Sequence, residues 1–241
     1  MRKLLILLVA FSSLQLVSQT ATPAAKKPAA KKPSAATALP PTAIIDTTAG
    51  KLTCVLFPDK APIGVANFIG LARGTKDWTN PATGRKMHGV PLYNGTIFHR
   101  VIPDFMIQGG DPMGTGMGDP GYKFKNETSP DLQFDRPGRL AYANSGPDTN
   151  GSQFFVTEVP YPSLNGNYTI FGQCDDPSVE LVKKIARMPR DANDRPNDPP
   201  KIAKITILHA GGAHAPAHKP LHKPVHKPAP KPAAPKTSTP Q

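Results

Sequence analysis

The sequence predicts a mainly β fold, in which short antiparallel strands close into a barrel with two α-helices at its ends. Three observations carry this prediction. Short apolar runs recur between Gly-, Pro- and Asn-rich turns across residues 43–209. Two segments in that range have the apolar spacing of a helix. The chain on either side, residues 1–42 and 210–241, holds 13 of the 30 prolines and has no acidic residue.

The first half of the domain begins with a predicted hairpin, because the apolar runs AIID and KLTCVLF flank the turn sequence TTAG. A helix is predicted where apolar residues recur at helical spacing, and Gly74 supplies its C-terminal stop signal. A long polar loop with the single tryptophan separates this helix from two short strands. The predicted elements are strands 43–46 and 51–57, helix 63–73, loop 75–92, and strands 96–101 and 105–108.

The second half contains four more predicted strands and the second helix. A turn-rich loop with the sequence NSGPDTNGS joins the first two of these strands. Ser178 is expected to cap the helix N-terminus. The predicted elements are strands 139–143, 153–157 and 169–174, helix 178–187, and strand 202–208.

The two ends of the chain predict an exported protein, either periplasmic or secreted. Residues 1–20 have the pattern of a signal peptide, with a basic start and an apolar stretch too short to span a membrane comfortably. Residues 21–42 are an Ala/Lys/Pro linker, and residues 210–241 are a His/Lys/Pro tail that is expected to be disordered. The basic tails suit contact with an anionic envelope surface, or a solubilising role alone. Weak metal binding by the His-rich repeat is a less favoured alternative.

The net charge of +12 belongs to these ends and not to the domain. Residues 43–209 hold 18 basic and 17 acidic side chains, which gives no basic face for nucleic acid. With this charge balance and no heptad pattern, we expect a monomer that does not bind nucleic acid.

The two cysteines, Cys54 and Cys174, leave their redox state open. An exported chain with an even number of cysteines permits one disulfide. Both residues lie in strand-like runs, which favours two separate buried thiols that pack as small apolar side chains.

Familiar catalytic and cofactor motifs are missing from the sequence. It contains no G-x-S-x-G and no H-E-x-x-H pattern, so hydrolysis by an activated serine or a metal is poorly supported. The glycine-rich stretch 109–121 lacks the G-x-x-x-x-G-K-[ST] pattern and is predicted to be a tight surface loop. We therefore expect neither a cofactor nor a metal.

Two longer motifs carry more information: FHRVIPDFMIQGGD at 98–111 and ANSGPDTNGSQFF at 143–155, followed by TIFGQ at 169–173. At these positions the sequence resembles the cyclophilin family of peptidyl-prolyl cis-trans isomerases, and the resemblance extends from about residue 43 to 208. It implies an eight-stranded barrel capped by two helices. It also implies that the substrates are proline-containing segments of unfolded or folding proteins.

The resemblance assigns roles to individual residues. Arg100 matches the catalytic arginine of the family, and the other residues match either the walls of a proline pocket or a groove that holds the peptide backbone. Those expected in the pocket are Phe105, Met106, Phe155, Leu164 and Tyr168. Those expected in the groove are Gln108, Ala143, Asn144 and Gln153. Of the full set, Arg100, Phe105 and Gln108 are the predicted catalytic residues.

These residue types suit the reaction. Rotation about an X–Pro bond must overcome a barrier of about 18–20 kcal/mol, because amide resonance is lost. The prolyl nitrogen becomes more basic in the twisted state, so a fixed guanidinium favours that state over the planar one. An apolar pocket holds the ring and excludes water, so no nucleophile is needed.

Two positions depart from the family pattern. Ser163 stands where many members carry a tryptophan that helps to bind cyclosporin, and Tyr168 stands where many carry a pocket histidine. The loss of an aromatic group at Ser163 predicts weak cyclosporin binding. These departures keep a second hypothesis open, a non-catalytic chaperone or scaffold that binds proline-containing peptides.

Overall fold

The computed structural model describes residues 40–208. The predicted signal peptide and C-terminal tail lie outside the described residues, as does the linker apart from its last three residues. Within residues 40–208 the chain forms strands β1 Thr42–Thr47, β2 Gly50–Leu56, β3 Trp78–Thr79, β4 Lys86–Met87, β5 Arg100–Ile102, β6 Met106–Gly109, β7 Arg139–Tyr142, β8 Phe154–Thr157, β9 Ile170–Cys174 and β10 Ile202–Leu208, and helices α1 Pro62–Arg73 and α2 Asp176–Ala186.

Eight of these strands form one antiparallel sheet in the order β10-β1-β2-β9-β7-β8-β6-β5. The sheet curls until its two ends meet, although β5 and β10 themselves do not pair along their length. The seam is closed just before each strand, where Phe98 N–H donates to Pro200 O at 2.9 Å and Ile202 N–H donates to Thr96 O at 2.8 Å. The prediction of a mainly β barrel with two helices is confirmed.

This seam explains why β5 is shorter than predicted. The sequence predicted a strand over 96–101, but the structure has a strand only from Arg100. In this segment the N–H groups of Gly95 and Phe98 and the carbonyl of Thr96 bond with residues 200–202, and on the β6 side Ile97 forms only an isolated bridge, with Asp111 after the end of that strand. The predicted loop 75–92 is also more ordered than expected, because β3 and β4 pair within it and Trp78 is buried.

The two helices begin and end at local signals, one of which the sequence analysis placed wrongly. Helix α1 ends at Gly74, whose left-handed backbone (φ 72°) lets its N–H donate to Gly70 O. Helix α2 is capped by Asp175 and not by Ser178. The Asp175 carboxylate accepts the Ser178 N–H at 3.0 Å, which places Ser178 inside the first turn. The Ser178 hydroxyl oxygen instead accepts the N–H of Thr53 in β2 at 2.7 Å and ties the helix to the barrel.

Strands β7 and β8 bury both of their faces along their whole length. In β8, Phe154 and Val156 point into the main core, and Phe155 points to a smaller apolar cluster on the other side. Strands β6 and β7 alternate in the same way: Ile107 faces the main core, whereas Met106 and Ala141 face the smaller cluster. The smaller cluster is therefore built from the same strands as the core, on the opposite face of the sheet.

The cysteines form a disulfide, which corrects the expectation of two separate thiols. Cys54 in β2 and Cys174 in β9 are directly opposite each other in the antiparallel ladder, and a bond joins their Sγ atoms. The sequence analysis placed both residues in strands but did not pair those strands. The bridge spans 120 residues of sequence, and both cysteines are almost fully buried.

No helix among residues 40–208 has both the length and the apolar character that crossing a membrane requires.

Candidate active site

A cavity of about 190 Å³ opens over the smaller apolar cluster. It brings together nine of the ten residues that the sequence analysis selected: Arg100, Phe105, Met106, Gln108, Ala143, Asn144, Phe155, Leu164 and Tyr168. The tenth, Gln153, lies in the adjoining groove and contacts the cavity through Gln108.

A row of paired residues across four adjacent strands positions the centre of this site. Arg100 in β5 is opposite Gln108 in β6, Gln108 is opposite Phe155 in β8, and Phe155 is opposite Ala141 in β7. Residues that are paired across a sheet point to the same face. The two sequence motifs therefore meet because β6 and β8 pair in this register, which places a guanidinium, an amide and an aromatic ring side by side.

Aromatic rings form the walls and the base of the cavity. Phe155 stacks on buried Phe134 with ring centroids 5.8 Å apart, and Tyr168 meets Phe155 edge-on at 5.5 Å. Phe105 packs against Tyr161 at 4.4 Å. The sequence analysis missed Phe134 and Tyr161 as parts of the site. Phe134 lies in a polar segment without periodicity, so no local signal could have found it.

The amide side chains organise the groove beside this cavity, which has a volume of about 310 Å³. Gln108 donates from Nε2 to Gln153 Oε1 at 2.9 Å. Gln153 in turn donates from Nε2 to the carbonyls of Gly116 and Gly118, at 3.0 and 2.9 Å. Asn144 is fixed by its Nδ2, which donates to Asn167 O at 3.0 Å. This groove therefore has a hydrogen-bonded wall next to the apolar cavity.

The guanidinium of Arg100 lies at the rim, with its side chain 44% exposed. Its Nε is 3.8 Å from Asp194 Oδ2, and the neighbouring Val101 N–H donates to Asp194 O at 2.8 Å. No residue in the part of the chain that the structure describes accepts a hydrogen bond from Arg100. Asp194 thus orients the Arg100 side chain, and the other N–H groups of the guanidinium can donate hydrogen bonds to a bound peptide.

A buried carboxylate fixes the turn that carries Phe105. Glu158 is 2% exposed, accepts the Asp104 N–H at 2.9 Å and forms an ion pair with Arg187. Its own N–H donates to Phe105 O at 2.8 Å. Asp104 has a left-handed backbone (φ 56°), and these contacts hold that conformation. Through Glu158, helix α2 therefore supports one wall of the cavity.

A second buried carboxylate holds the glycine-rich loop. Asp111 accepts backbone N–H groups from Met113 at 2.7 Å, Thr115 at 3.0 Å, Gly116 at 2.6 Å and Gly118 at 3.1 Å. The loop folds around this carboxylate and uses its N–H groups there, in agreement with the prediction of a tight surface loop. A Cβ at Gly118 would lie 1.9 Å from Asp111 Oδ1, so only glycine fits at that position.

These hydrogen bonds make the stability of the loop depend on pH. Burial alone would raise the pKa of Asp111, but the N–H groups of Met113, Gly118, Gly116 and Thr115 outweigh it and lower the pKa below its usual value. A pKa that is lower in the folded than in the unfolded state stabilises the fold at neutral pH. That stabilisation is lost as the pH falls below about 4.

We expect Asp111→Asn to lower the free energy of unfolding at pH 7 by about 1–3 kcal/mol, because the amide cannot accept all four N–H groups. The difference from wild type should narrow as the pH falls below about 4. Urea unfolding at both pH values measures this. Asp119→Asn is the matched control, since within residues 40–208 that carboxylate accepts a single hydrogen bond, from the Gly121 N–H. Equal losses in the two variants would contradict the role of Asp111.

The two positions that depart from the family pattern differ in their placement. Tyr168 lines the cavity, whereas Ser163 is exposed on a short 3-10 turn, Pro162–Leu164.

Among residues 40–208, no group of three or more His, Cys, Asp or Glu side chains is arranged to hold a metal ion.

Comparisons with known proteins agree on one family. The family model described as cyclophilin type peptidyl-prolyl cis-trans isomerase/CLD matches residues 42–207. Peptidyl-prolyl cis-trans isomerase A of Mycobacterium tuberculosis H37Rv is 53% identical over 167 residues, which are 69% of this chain and 91% of the relative. Peptidyl-prolyl cis-trans isomerase B of Streptomyces anulatus is 47% identical over 167 residues, which are 68% of this chain and 95% of the relative.

A solved structure is similar as well. The crystal structure of a Cryptosporidium parvum cyclophilin type peptidyl-prolyl cis-trans isomerase, determined in the presence of the dipeptide Ala-Pro, matches with a TM-score of 0.59 and 38% sequence identity. The match covers 69% of this chain and 98% of the crystallised one.

Proposed function

This chain belongs to the cyclophilin-type peptidyl-prolyl cis-trans isomerase family, and we propose that it catalyses X–Pro rotation through Arg100 and the apolar cavity beside it. The observation that carries this proposal is the cross-strand row of Arg100, Gln108 and Phe155. In this row a permanent cation and Phe155 lie on the same face of the sheet, which supports a role for Arg100 beside a proline ring that packs on Phe155.

The first step is binding of the proline. Its ring enters the cavity between Phe105, Met106, Phe155, Leu164 and Tyr168. Burial of apolar surface holds the ring, and the aromatic walls exclude water from the amide that must rotate. The Cryptosporidium parvum enzyme crystallised with Ala-Pro supports a proline-containing peptide as the ligand.

The second step is rotation under the Arg100 guanidinium. As the amide twists, the prolyl nitrogen regains its lone pair, and an Arg100 N–H donates to it. Because the planar amide nitrogen is a poor acceptor, this hydrogen bond is stronger in the twisted state and lowers the barrier. The Asp194 carboxylate near Nε restricts the orientation of the guanidinium.

The groove formed by Gln108, Ala143, Asn144 and Gln153 holds the peptide on one side of the rotating bond. Its polar groups are fixed by the Gln108–Gln153 hydrogen bond and by the anchoring of Asn144 to Asn167. Holding one side lets the other side turn, so the protein needs no covalent step.

The natural substrates, on this proposal, are X–Pro segments of unfolded or folding proteins, which the chain meets as an exported monomer. X–Pro rotation without a catalyst takes about 10–100 s and can limit folding. We also propose weak cyclosporin binding, because exposed Ser163 offers no aromatic surface.

The test is cis-to-trans isomerisation of an Ala-Xaa-Pro-Phe peptide by the full chain, together with Tyr168→Ala. We expect clear acceleration by the wild type and a loss of roughly tenfold in kcat/KM for the variant, because one pocket wall is removed. Thermal unfolding of both proteins controls for folding. Peptide binding without acceleration by the wild type would favour the non-catalytic scaffold. Unchanged kcat/KM in Tyr168→Ala would remove Tyr168 from the site.

A further inference from the structure

A second cavity, of about 400 Å³, lies beside the proline cavity on the Arg100 side. The two cavities share Arg100 and Gln108 as walls. The remaining lining residues of the second cavity come from three places: His99 directly precedes β5, Thr115 and Gly116 lie in the glycine-rich loop, and Asp191, Asn193 and Arg195 lie in the loop before β10. A side chain close to a bound proline can therefore reach this space.

The charges around this second cavity leave one cation unmatched. The Asp191 carboxylate accepts the backbone N–H groups of Asn193 and Arg195, at 2.8 and 2.9 Å. The Asp194 carboxylate lies between Arg100 Nε at 3.8 Å and Arg190 Nε at 3.3 Å. For Arg195, no carboxylate within the described range of the chain forms an ion pair.

Arg195 is nevertheless held in place. Its Nη1 donates to the carbonyl oxygen of Gly114, which fixes the guanidinium against the glycine-rich loop. A cation that is already oriented loses less conformational entropy when an anion binds. Arg195 thus offers an oriented positive charge at the edge of the second cavity.

The buried side of the cavity offers a hydrogen-bonding group. His99 is 6% exposed, and neither of its ring nitrogens has a hydrogen-bond partner among residues 40–208. Burial, together with Arg195 and Arg100, lowers the pKa of His99 although Asp111 opposes the change. An imidazole ring has at least one N–H to donate in either protonation state. Buried polar groups normally have a hydrogen-bond partner, and a ligand atom in the cavity could be that partner for a His99 ring nitrogen.

We propose that this second cavity is a subsite that selects an acidic side chain, Asp or Glu, next to the isomerised proline. Arg195 pairs with the carboxylate, and His99 donates a hydrogen bond to it. An apolar side chain would leave Arg195 without an anionic partner and His99 without a hydrogen-bond partner. A lysine would face the guanidinium groups of Arg100 and Arg195, and the Asp191 carboxylate that also lines the cavity already accepts two backbone N–H groups. This inference rests on the proposed isomerase function, for which it specifies the substrate class.

The experiment compares matched peptides that carry Glu, Gln or Lys directly before or directly after the proline. The catalysed rate, corrected for the uncatalysed rate of each peptide, is measured with the full chain. We expect Glu to exceed Gln by about fivefold in kcat/KM at one of the two positions, and Lys to be the poorest. The preference should weaken in about 0.5 M salt, because screening reduces the attraction.

Variants of Arg195 test whether this residue causes the preference for Glu over Gln. Arg195→Gln should bring the Glu-to-Gln ratio of kcat/KM close to one, and Arg195→Lys should restore part of it. Because the ratio is taken within each protein, a general loss of activity cancels. Arg85→Gln is the matched control, since Arg85 is exposed and lines neither cavity, and it should keep the wild-type ratio.

Either of two results overturns the inference: a wild-type ratio of one at both positions, or a ratio that survives in Arg195→Gln. If the chain accelerates none of the peptides, the proposed function fails separately. Peptide Kd values for the same Glu and Gln pairs then decide the subsite. Equal values overturn it, and tighter Glu binding that is lost in Arg195→Gln supports it.

Discussion

Arg100→Ala is expected to lower kcat/KM for an Ala-Xaa-Pro-Phe peptide by about a hundredfold or more, because it removes the donor that stabilises the twisted amide. The fold should be unaffected, since this side chain is 44% exposed and its one ion-pair contact among residues 40–208 is with Asp194 at 3.8 Å. Surface pairs of this kind contribute about 0–1 kcal/mol. The measurement is peptide isomerisation, with thermal unfolding in parallel.

Arg100→Lys is the informative comparison. Lysine keeps the positive charge but lacks the planar set of donors, so we expect it to recover only a small part of the lost rate. KM should change less than kcat in both variants, because the apolar cavity still binds the proline. A wild-type rate in Arg100→Ala would show that catalysis does not depend on this guanidinium, and attention would move to Gln108 and the aromatic walls.

Loss of the Cys54–Cys174 disulfide is expected to lower the free energy of unfolding by about 2–5 kcal/mol. The bridge closes a long loop, because the two cysteines are separated by 120 positions in the sequence, so it restricts the unfolded chain strongly. We expect the double variant Cys54→Ala/Cys174→Ala to unfold at a lower urea concentration than the oxidised wild type. Isomerase activity under native conditions should be retained, because neither cysteine lines the cavity.

Reductant provides the control for this second prediction. Wild type that is unfolded, reduced and refolded in dithiothreitol should approach the stability of the double variant. The double variant itself should not respond to dithiothreitol. Because both cysteines are almost fully buried, reduction of the folded protein should be slow. Equal stability of oxidised wild type and double variant would contradict the prediction.

Much of the site could be predicted because its residues lie in two continuous motifs. The segments around Arg100 and Phe155 are recognisable separately, and the β6–β8 pairing brings them together. Contacts across long sequence distances could not be predicted in this way. Phe134 and Tyr161 pack against the cavity residues Phe155 and Phe105 from loops without periodicity. Asp194 reaches Arg100 only because the loop before β10 lies beside β5.

The errors in the fold have the same origin. The cysteines were placed correctly in strands, but the pairing of β2 with β9 decides whether they bond. Ser178 is a good N-cap residue by type, yet Asp175 three residues earlier occupies that position and Ser178 contacts β2 instead. The predicted strand before Arg100 is too long because Gly95, Thr96 and Phe98 form hydrogen bonds across the barrel seam and not with β6. Local propensity predicts which residue types form strands and caps, but it does not predict which distant residues they contact.

The double-sided burial of β8 limits how this protein can change its length during evolution. Phe154 packs in the core and Phe155 in the candidate site, so successive residues along the strand belong in turn to the core and to the site. Insertion or deletion of one residue in this strand would turn the core residues towards the candidate site and the site residues towards the core, so it would disrupt both. Point substitutions avoid this penalty, and so do length changes in the loop between α2 and β10. We expect related sequences to keep the spacing within β6 and β8 and to vary in length in loops outside these strands.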